Sequence, residues 1–178
     1  MADSHTAFFY GTLMHPKVLK SVIHNDGAHL ELCPAVLLEH TRHEVKLCEY
    51  PGVIPISKGL KILNRSLTQE ERSVRGTLVK GLTAQDMDFL DAFESDEYIR
   101  RKVQVHPLGP FTKVSAETVD GDLVPENPPA LPEISKLLEL AVDAETYIYC
   151  DETNLNSDLW SFKDFVKNNA WKWYGGTR

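Results

Sequence analysis

The chain has 178 residues, 42% apolar and 25% charged, which suits a soluble globular domain with a sizeable core and excludes a disordered or low-complexity polymer. A formal net charge of −7 and a pI near 5.5 exclude the basic footprint of a nucleic-acid binder, although an acidic protein can still carry a local site for a small anion. Cys33, Cys48 and Cys150 are odd in number and lack paired spacing, so no disulfide framework is expected.

No apolar run approaches the ~20 residues of a membrane span. The stretch Met1 to His5 has no basic region leading into a long apolar run, so no signal peptide is expected. The expected setting is reducing and cytoplasmic, with no membrane and no nucleic-acid partner.

Ala7 to Tyr10 is a short apolar and aromatic run ending at Gly11, and it predicts a central strand. Pro16 to Ile23 suits a short helix with proline in its first turn. Leu30 to His40 is mixed, with a strand over Ala35 to Leu38. Val45 to Tyr50 predicts another strand, Tyr50, Pro51 and Gly52 a turn, and Val53 to Ile56 a return to the sheet. Ser57 to Arg72 is polar without clear period and predicts a surface excursion.

Val74 to Val79 predicts a strand with Gly76 inside it, the mark of a bulge or a close backbone approach. The clearest helix follows. Thr83 and Asp86 have the spacing of a capping box. Phe89, Leu90 and Phe93 form an apolar face, and Asp88, Asp91 and Glu94 follow one another along a polar flank. Arg100 to His106 alternates as a strand does. Leu108 to Pro132 is rich in proline and turn residues and predicts a long irregular connection, with a possible hairpin at Asp120 and Gly121.

Ile134, Leu137, Leu138 and Ala141 suit a short amphipathic helix, and Ala144 to Tyr149 the last strand. Asn156 or Ser157 can cap a final helix carrying Leu159, Phe162, Val166, Ala170 and Trp173 on one face. There is no internal repeat. Many strands and few helices point to one α+β domain over residues 1–178: a strongly curved sheet or small barrel with helices at its rim.

Two stretches carry most of the functional information. Phe8 to Met14 reads as a buried strand running into a glycine turn, and Leu90 to Glu94, followed by Tyr98 and Arg100, as a helix ending on a carboxylate. With them stand Tyr50 to Pro55, Val74 to Leu78, Ala144 to Tyr147 and an aromatic segment from Trp160 to Tyr174. In this order, over nearly the whole chain, these elements resemble the gamma-glutamylcyclotransferase-like superfamily, and within it the AIG2-like branch.

That resemblance implies a small curved β-barrel with flanking helices. It implies that a small γ-glutamyl amine or amide closes to 5-oxoproline and releases the amine, with no metal and no cofactor. It also implies a substrate cradle over Tyr10, Gly11, Thr12, Leu13, Met14 and His15, and a catalytic glutamate at Glu94. Tyr98 and Arg100 are possible lining residues. The segments 57–72 and 108–134 are longer than a compact member needs. They keep open a related carboxylate-based reaction on a specialised metabolite, or a non-catalytic module that binds a small ligand or a partner.

The chemistry suits these residue types. A γ-glutamyl α-amine is mostly protonated at neutral pH, so a base must take its proton and an acid must return one to the leaving nitrogen. One carboxylate can do both in turn. A glutamate at the C-terminal end of a helix, one turn after Asp91 and partly buried beside Phe93, has its pKa pushed upward by the dipole, the neighbouring charge and desolvation. A glycine turn can aim successive N–H groups at a carboxylate or an oxyanion. Asp96 and Glu97 read as surface acids. Cys33, His40, His43 and Cys48 share a stretch but fit no common zinc spacing. Trp160, Trp171 and Trp173 read as packing residues.

Overall fold

The computed structural model describes residues 4–46, 51–114 and 130–159. Strand β1 (His5–Phe9) buries Ala7, Phe8 and Phe9, so both of its faces are covered and its apolar run does not alternate. Helix α1 (Pro16–Ile23) starts at the expected proline. Strand β2 (Glu31–Leu38) is longer than the sequence suggests. It pairs antiparallel with β5 (Ser73–Leu82), from Glu31 opposite Lys80 to Leu38 opposite Ser73.

β5 pairs with β1, and β1 meets β8 (Val142–Tyr149) in parallel at Ala7 and Glu145. β8 pairs with β6 (Tyr98–Pro107), and β6 returns to β2 at Ala35 and Val36. The circuit β2-β5-β1-β8-β6 closes on itself, so the sheet is a five-stranded barrel without free edges between these strands. A two-residue strand, β7 (Thr112–Lys113), adds to β2 at its start.

The barrel is filled by Phe8, Tyr10, Cys33, Ala35, Leu37, Val74, Leu78, Val105 and Ala144, with Val53 reaching in from outside. The opposite face of β1, through Ala7 and Phe9, joins a second apolar cluster. That cluster includes Val18, Leu19 and Ile23 of α1 and Met87 and Leu90 of α3 (Ala84–Glu94). A second sheet of β4 (Pro51–Pro55), β3 (His40–Val45) and β9 (Leu155–Leu159) packs Val45, Ile54 and Leu155 against Tyr149. Arg42 of β3 ties the two sheets together by donating to the carbonyls of Tyr10 and Arg75, both at 2.8 Å.

The capping box forms as expected. Asp86 N–H donates to the Thr83 hydroxyl and Thr83 N–H to the Asp86 carboxylate, both at 3.0 Å. Five other expectations need correction. Pro51 and Gly52 lie in β4, not in a turn, because they pair with Glu44 and His43 of β3. The strand expected from Val45 ends there, and residues 47–50 lie outside the described part.

The supposed surface excursion begins with a helix, α2 (Ile56–Leu63). Gly59 hides it from the sequence, since glycine costs a helix ~1 kcal/mol relative to alanine. Here glycine is needed because a Cβ would overlap the Thr41 hydroxyl of β3. On α3 the buried residues are Asp86, Met87 and Leu90, whereas Phe93 is 41% exposed.

Last, β8 is not the final strand. Leu155 to Leu159 is β9, paired at Val45 and His43 of β3, so Asn156 and Ser157 cap no helix and Leu159 is not helical. The rest of that expected helix and the Asp120 hairpin lie outside the described residues, while helix α4 (Ile134–Glu139) forms and buries Leu137. No helix among the described residues is long and apolar enough to cross a membrane.

Candidate active site

At one end of the barrel, the close of β1, the last turn of α3 and the entry to β6 come together. Glu94 is the last residue of α3 and is half-buried. Burial is the largest influence on its carboxyl group, followed by the charges of Asp91 and Glu97, and together they push its pKa up to about 8. No hydrogen bond to the ionised form offsets this among the described residues. The upward direction is the one expected from the sequence, where the helix dipole and cover by Phe93 stand beside the Asp91 charge as causes. In the structure desolvation leads, Phe93 is exposed, and Glu97, read as a surface acid, contributes.

Tyr10 stands opposite. Its ring is 7% exposed and lies within the barrel-filling cluster. Its hydroxyl donates to the Tyr147 carbonyl at 2.6 Å and accepts from the Val53 N–H. Burial first, then the nearby Glu94, holds the Tyr10 phenol well above its ordinary pKa, so it is a neutral O–H. Tyr10→Phe leaves the buried Tyr147 carbonyl and Val53 N–H without this partner. A loss of about 1–3 kcal/mol is expected in urea unfolding, with the m-value unchanged.

Beyond Tyr10 the chain turns sharply. Gly11 lies against Pro51, where a Cβ would come within 3.1 Å of the proline Cδ. Thr12–Met14 forms a single 3-10 turn, closed by Met14 N–H donating to the Gly11 carbonyl at 3.1 Å. The Leu13, Met14 and His15 side chains are buried, the first two in the apolar cluster beneath α1. This turn therefore offers a ligand its backbone rather than those three side chains.

Tyr98 and Arg100 lie on β6 beside Glu94. The Tyr98 hydroxyl donates to the Pro51 carbonyl at 2.8 Å, and its ring packs edge-on against Tyr149. Arg100, with Tyr98, Asp91, Ala92, Asp96 and Tyr147, lines an open depression of about 580 Å³ flanking Glu94. Asp91 accepts from the Tyr147 hydroxyl at 2.7 Å and pairs with Arg100 at 3.1 Å. Tyr147 and Glu97 had no assigned role at the level of sequence. Tyr147 falls in the Ala144 to Tyr147 motif, which was the only available hint of its place. Among the described residues no cluster of three or more histidine, cysteine or acidic side chains is placed to hold a metal ion.

A small closed barrel with flanking helices is the cyclotransferase-like class of fold. The chain belongs to the family described as gamma-glutamyl cyclotransferase, AIG2-like, whose model matches residues 7–167. Among curated relatives it is 29% identical to AIG2-like protein C of Arabidopsis thaliana over 65% of this chain and 58% of that one. It is 25% identical to Protein AIG2 C of the same plant over 65% of this chain and 61% of that one. The match thus spans less than two thirds of these relatives' own length.

Among solved structures, one of an Arabidopsis thaliana protein superposes with a TM-score of 0.58 at 20% identity, covering 97% of this chain and 79% of that one. A yeast gamma-glutamyl cyclotransferase specific to glutathione superposes with a TM-score of 0.52 at 14% identity, covering 89% and 72%. Likeness at these identities speaks for the fold.

Proposed function

We propose that this protein is a gamma-glutamyl cyclotransferase acting on a small γ-glutamyl amine or amide, with Glu94 as general base and then general acid. The observation that carries this reading is the placement of Glu94. A carboxyl whose pKa is pushed up to about 8 ends α3 within electrostatic reach of Tyr10, where the glycine turn begins. The family match supports the reaction class.

In the proposed reaction Glu94 takes a proton from the substrate's α-ammonium. The freed amine attacks its own γ-carbonyl and forms a five-membered ring. The turn from Tyr10 to His15, whose Met14 N–H is already bonded to the Gly11 carbonyl, would present other backbone N–H groups to the substrate carboxylate or to the tetrahedral oxyanion. Glu94 then passes its proton to the leaving nitrogen as the old amide bond breaks. The ring nitrogen gives Glu94 its second surplus proton, which also passes to the departing amine, so the products are 5-oxoproline and the ammonium form of the amine and Glu94 ends ionised as it began, with no water or redox partner consumed.

A peptide's α-amino group titrates at ~7.7–8.0, and the α-amine of a γ-glutamyl unit, next to its own free carboxylate, titrates above that. A carboxyl pushed up to about 8 lies far nearer to that amine than an ordinary glutamate does, so the first proton transfer is less uphill. An ordinary glutamate at ~4.3 would be too weak a base for the first step.

The test is incubation with γ-glutamyl amino acids, glutathione and γ-glutamyl-ε-lysine, with 5-oxoproline followed by mass spectrometry. Product from at least one compound is expected, and the preferred one names the leaving amine. Saturable binding across the panel without product would favour a ligand-binding module instead.

A further inference from the structure

Beside Glu94 runs a ladder of polar and charged side chains joining three strands and a helix. His5 Nδ1 of β1 lies 3.1 Å from Glu145 Oε1 of β8. The other Glu145 oxygen accepts from Arg100 Nε of β6 at 3.0 Å. A terminal nitrogen of Arg100 reaches the two Asp91 oxygens of α3 at 3.1 and 3.2 Å. Asp91 also accepts from the Tyr147 hydroxyl, and Tyr147 offers its own carbonyl to Tyr10. The ladder therefore ends on a carboxylate one helical turn before Glu94 and on a tyrosine that touches Tyr10.

We propose that Arg100 is a positioning residue of this site: clamped between Glu145 and Asp91, it fixes the Asp91 carboxylate beside Glu94 and limits how much negative charge Glu94 meets. The proposal rests on the reading of Glu94 as the proton-transfer group. The geometry suits the role. A guanidinium can bridge two carboxylates with fixed directions, which a flexible ammonium cannot do. As pairs for stability these contacts are worth little, because Arg100 and Asp91 are 30% and 43% exposed. Their consequence is electrostatic and local.

The groups facing Glu94 are Asp91 from its own helix, Glu97 from the following turn, Tyr10 from the end of β1 and Tyr147 from β8. Both tyrosines are neutral, since burial holds each phenol above its ordinary value. Arg100 acts on this set through Asp91 and Tyr147. Without it Asp91 would be an uncompensated negative charge. Without Asp91, Glu94 would lose its nearest like charge. The two substitutions should therefore move Glu94 in opposite directions.

The experiment reads the Glu94 titration midpoint by infrared spectroscopy of the carboxyl stretch, assigned by its loss in Glu94→Gln. Asp91→Asn is expected to lower the midpoint by about one pH unit and Arg100→Met to raise it by about half to one unit. Arg100→Lys, which keeps the charge but not the fork, should fall between Arg100→Met and the wild type. The acid limb of kcat/KM should follow each midpoint. Midpoints equal to wild type in Asp91→Asn and Arg100→Met, with only thermal stability altered, would overturn the proposal and leave the ladder as scaffolding. Full activity in Glu94→Gln would instead remove the catalytic reading, and the infrared midpoints would still report whether the ladder tunes Glu94.

Discussion

Glu94→Gln is expected to lower kcat by roughly 10²–10⁴-fold while substrate still binds and the fold is kept. The amide has the shape of the carboxyl but cannot accept the α-ammonium proton. In the wild type, kcat/KM should rise with pH through a midpoint near 8, because the base is the ionised Glu94 and its pKa is pushed up to about 8. Below that midpoint activity should fall about tenfold per pH unit. The residual rate of the variant should lack this limb. A variant that turns over at the wild-type rate would exclude Glu94 as the proton carrier.

The same substitution carries a stability consequence of the opposite sign. An unfolded glutamate titrates near 4.3, and the folded one near 8. Between those values the native state binds a proton that the unfolded state has released, so stability falls as pH rises. The contribution is intact below the lower value and lost as pH passes the upper one. Glutamine has no such slope. Urea unfolding should find the two proteins similar at pH ~5, and the variant more stable by on the order of a few kcal/mol at pH ~9. A site that loses function and gains stability together is one whose strain serves its chemistry.

Local signals were legible in the sequence because their causes are local. The Thr83 and Asp86 box is a contact between neighbours in the chain, and the structure makes both of its hydrogen bonds. The run Ala7 to Tyr10 reads as a central strand because both faces of β1 are buried. Elements decided by distant partners were hidden. β9 carries Asn156 and Ser157, either of which reads as a helix cap, yet its conformation is set by pairing with β3, more than a hundred residues earlier. α2 is broken up in the sequence by Gly59, whose reason is Thr41 on another strand.

The site divides in the same way. Glu94 and the glycine turn sit in recognisable motifs. The Asp91, Arg100, Glu145 and His5 ladder has no local pattern, since His5 and Glu145 are 140 positions apart and meet only because β1 and β8 are neighbours. The pKa of Glu94 was legible in direction alone. Its leading cause, burial, depends on which side chains cover it, and the sequence put Phe93 there when that ring faces outward.

Gly76→Ala should be the most damaging single-methyl change in the barrel, costing roughly 3 kcal/mol or more and producing little folded protein at physiological temperature. Gly76 lies on β5 opposite Ala35 of β2, next to the residue that faces Phe9 of β1. A Cβ there would overlap the Phe9 carbonyl oxygen and stand 2.8 Å from Phe8 Cζ. The ring could tilt, but the carbonyl is backbone inside a closed circuit of paired strands. It cannot move without shifting β1 against β5, and Tyr10 is the next residue along. Any protein that does fold should therefore show a lowered kcat as well as a lowered urea midpoint, since Tyr10 begins the turn facing Glu94. Gly109→Ala is the control. A Cβ at Gly109 would meet Pro34 Cγ at an ordinary 3.5 Å, and its backbone is not left-handed, so a change within about 0.5 kcal/mol is expected. Equal effects of the two alanines would mean that the close approach of β1 and β5 at Gly76 does not constrain the barrel.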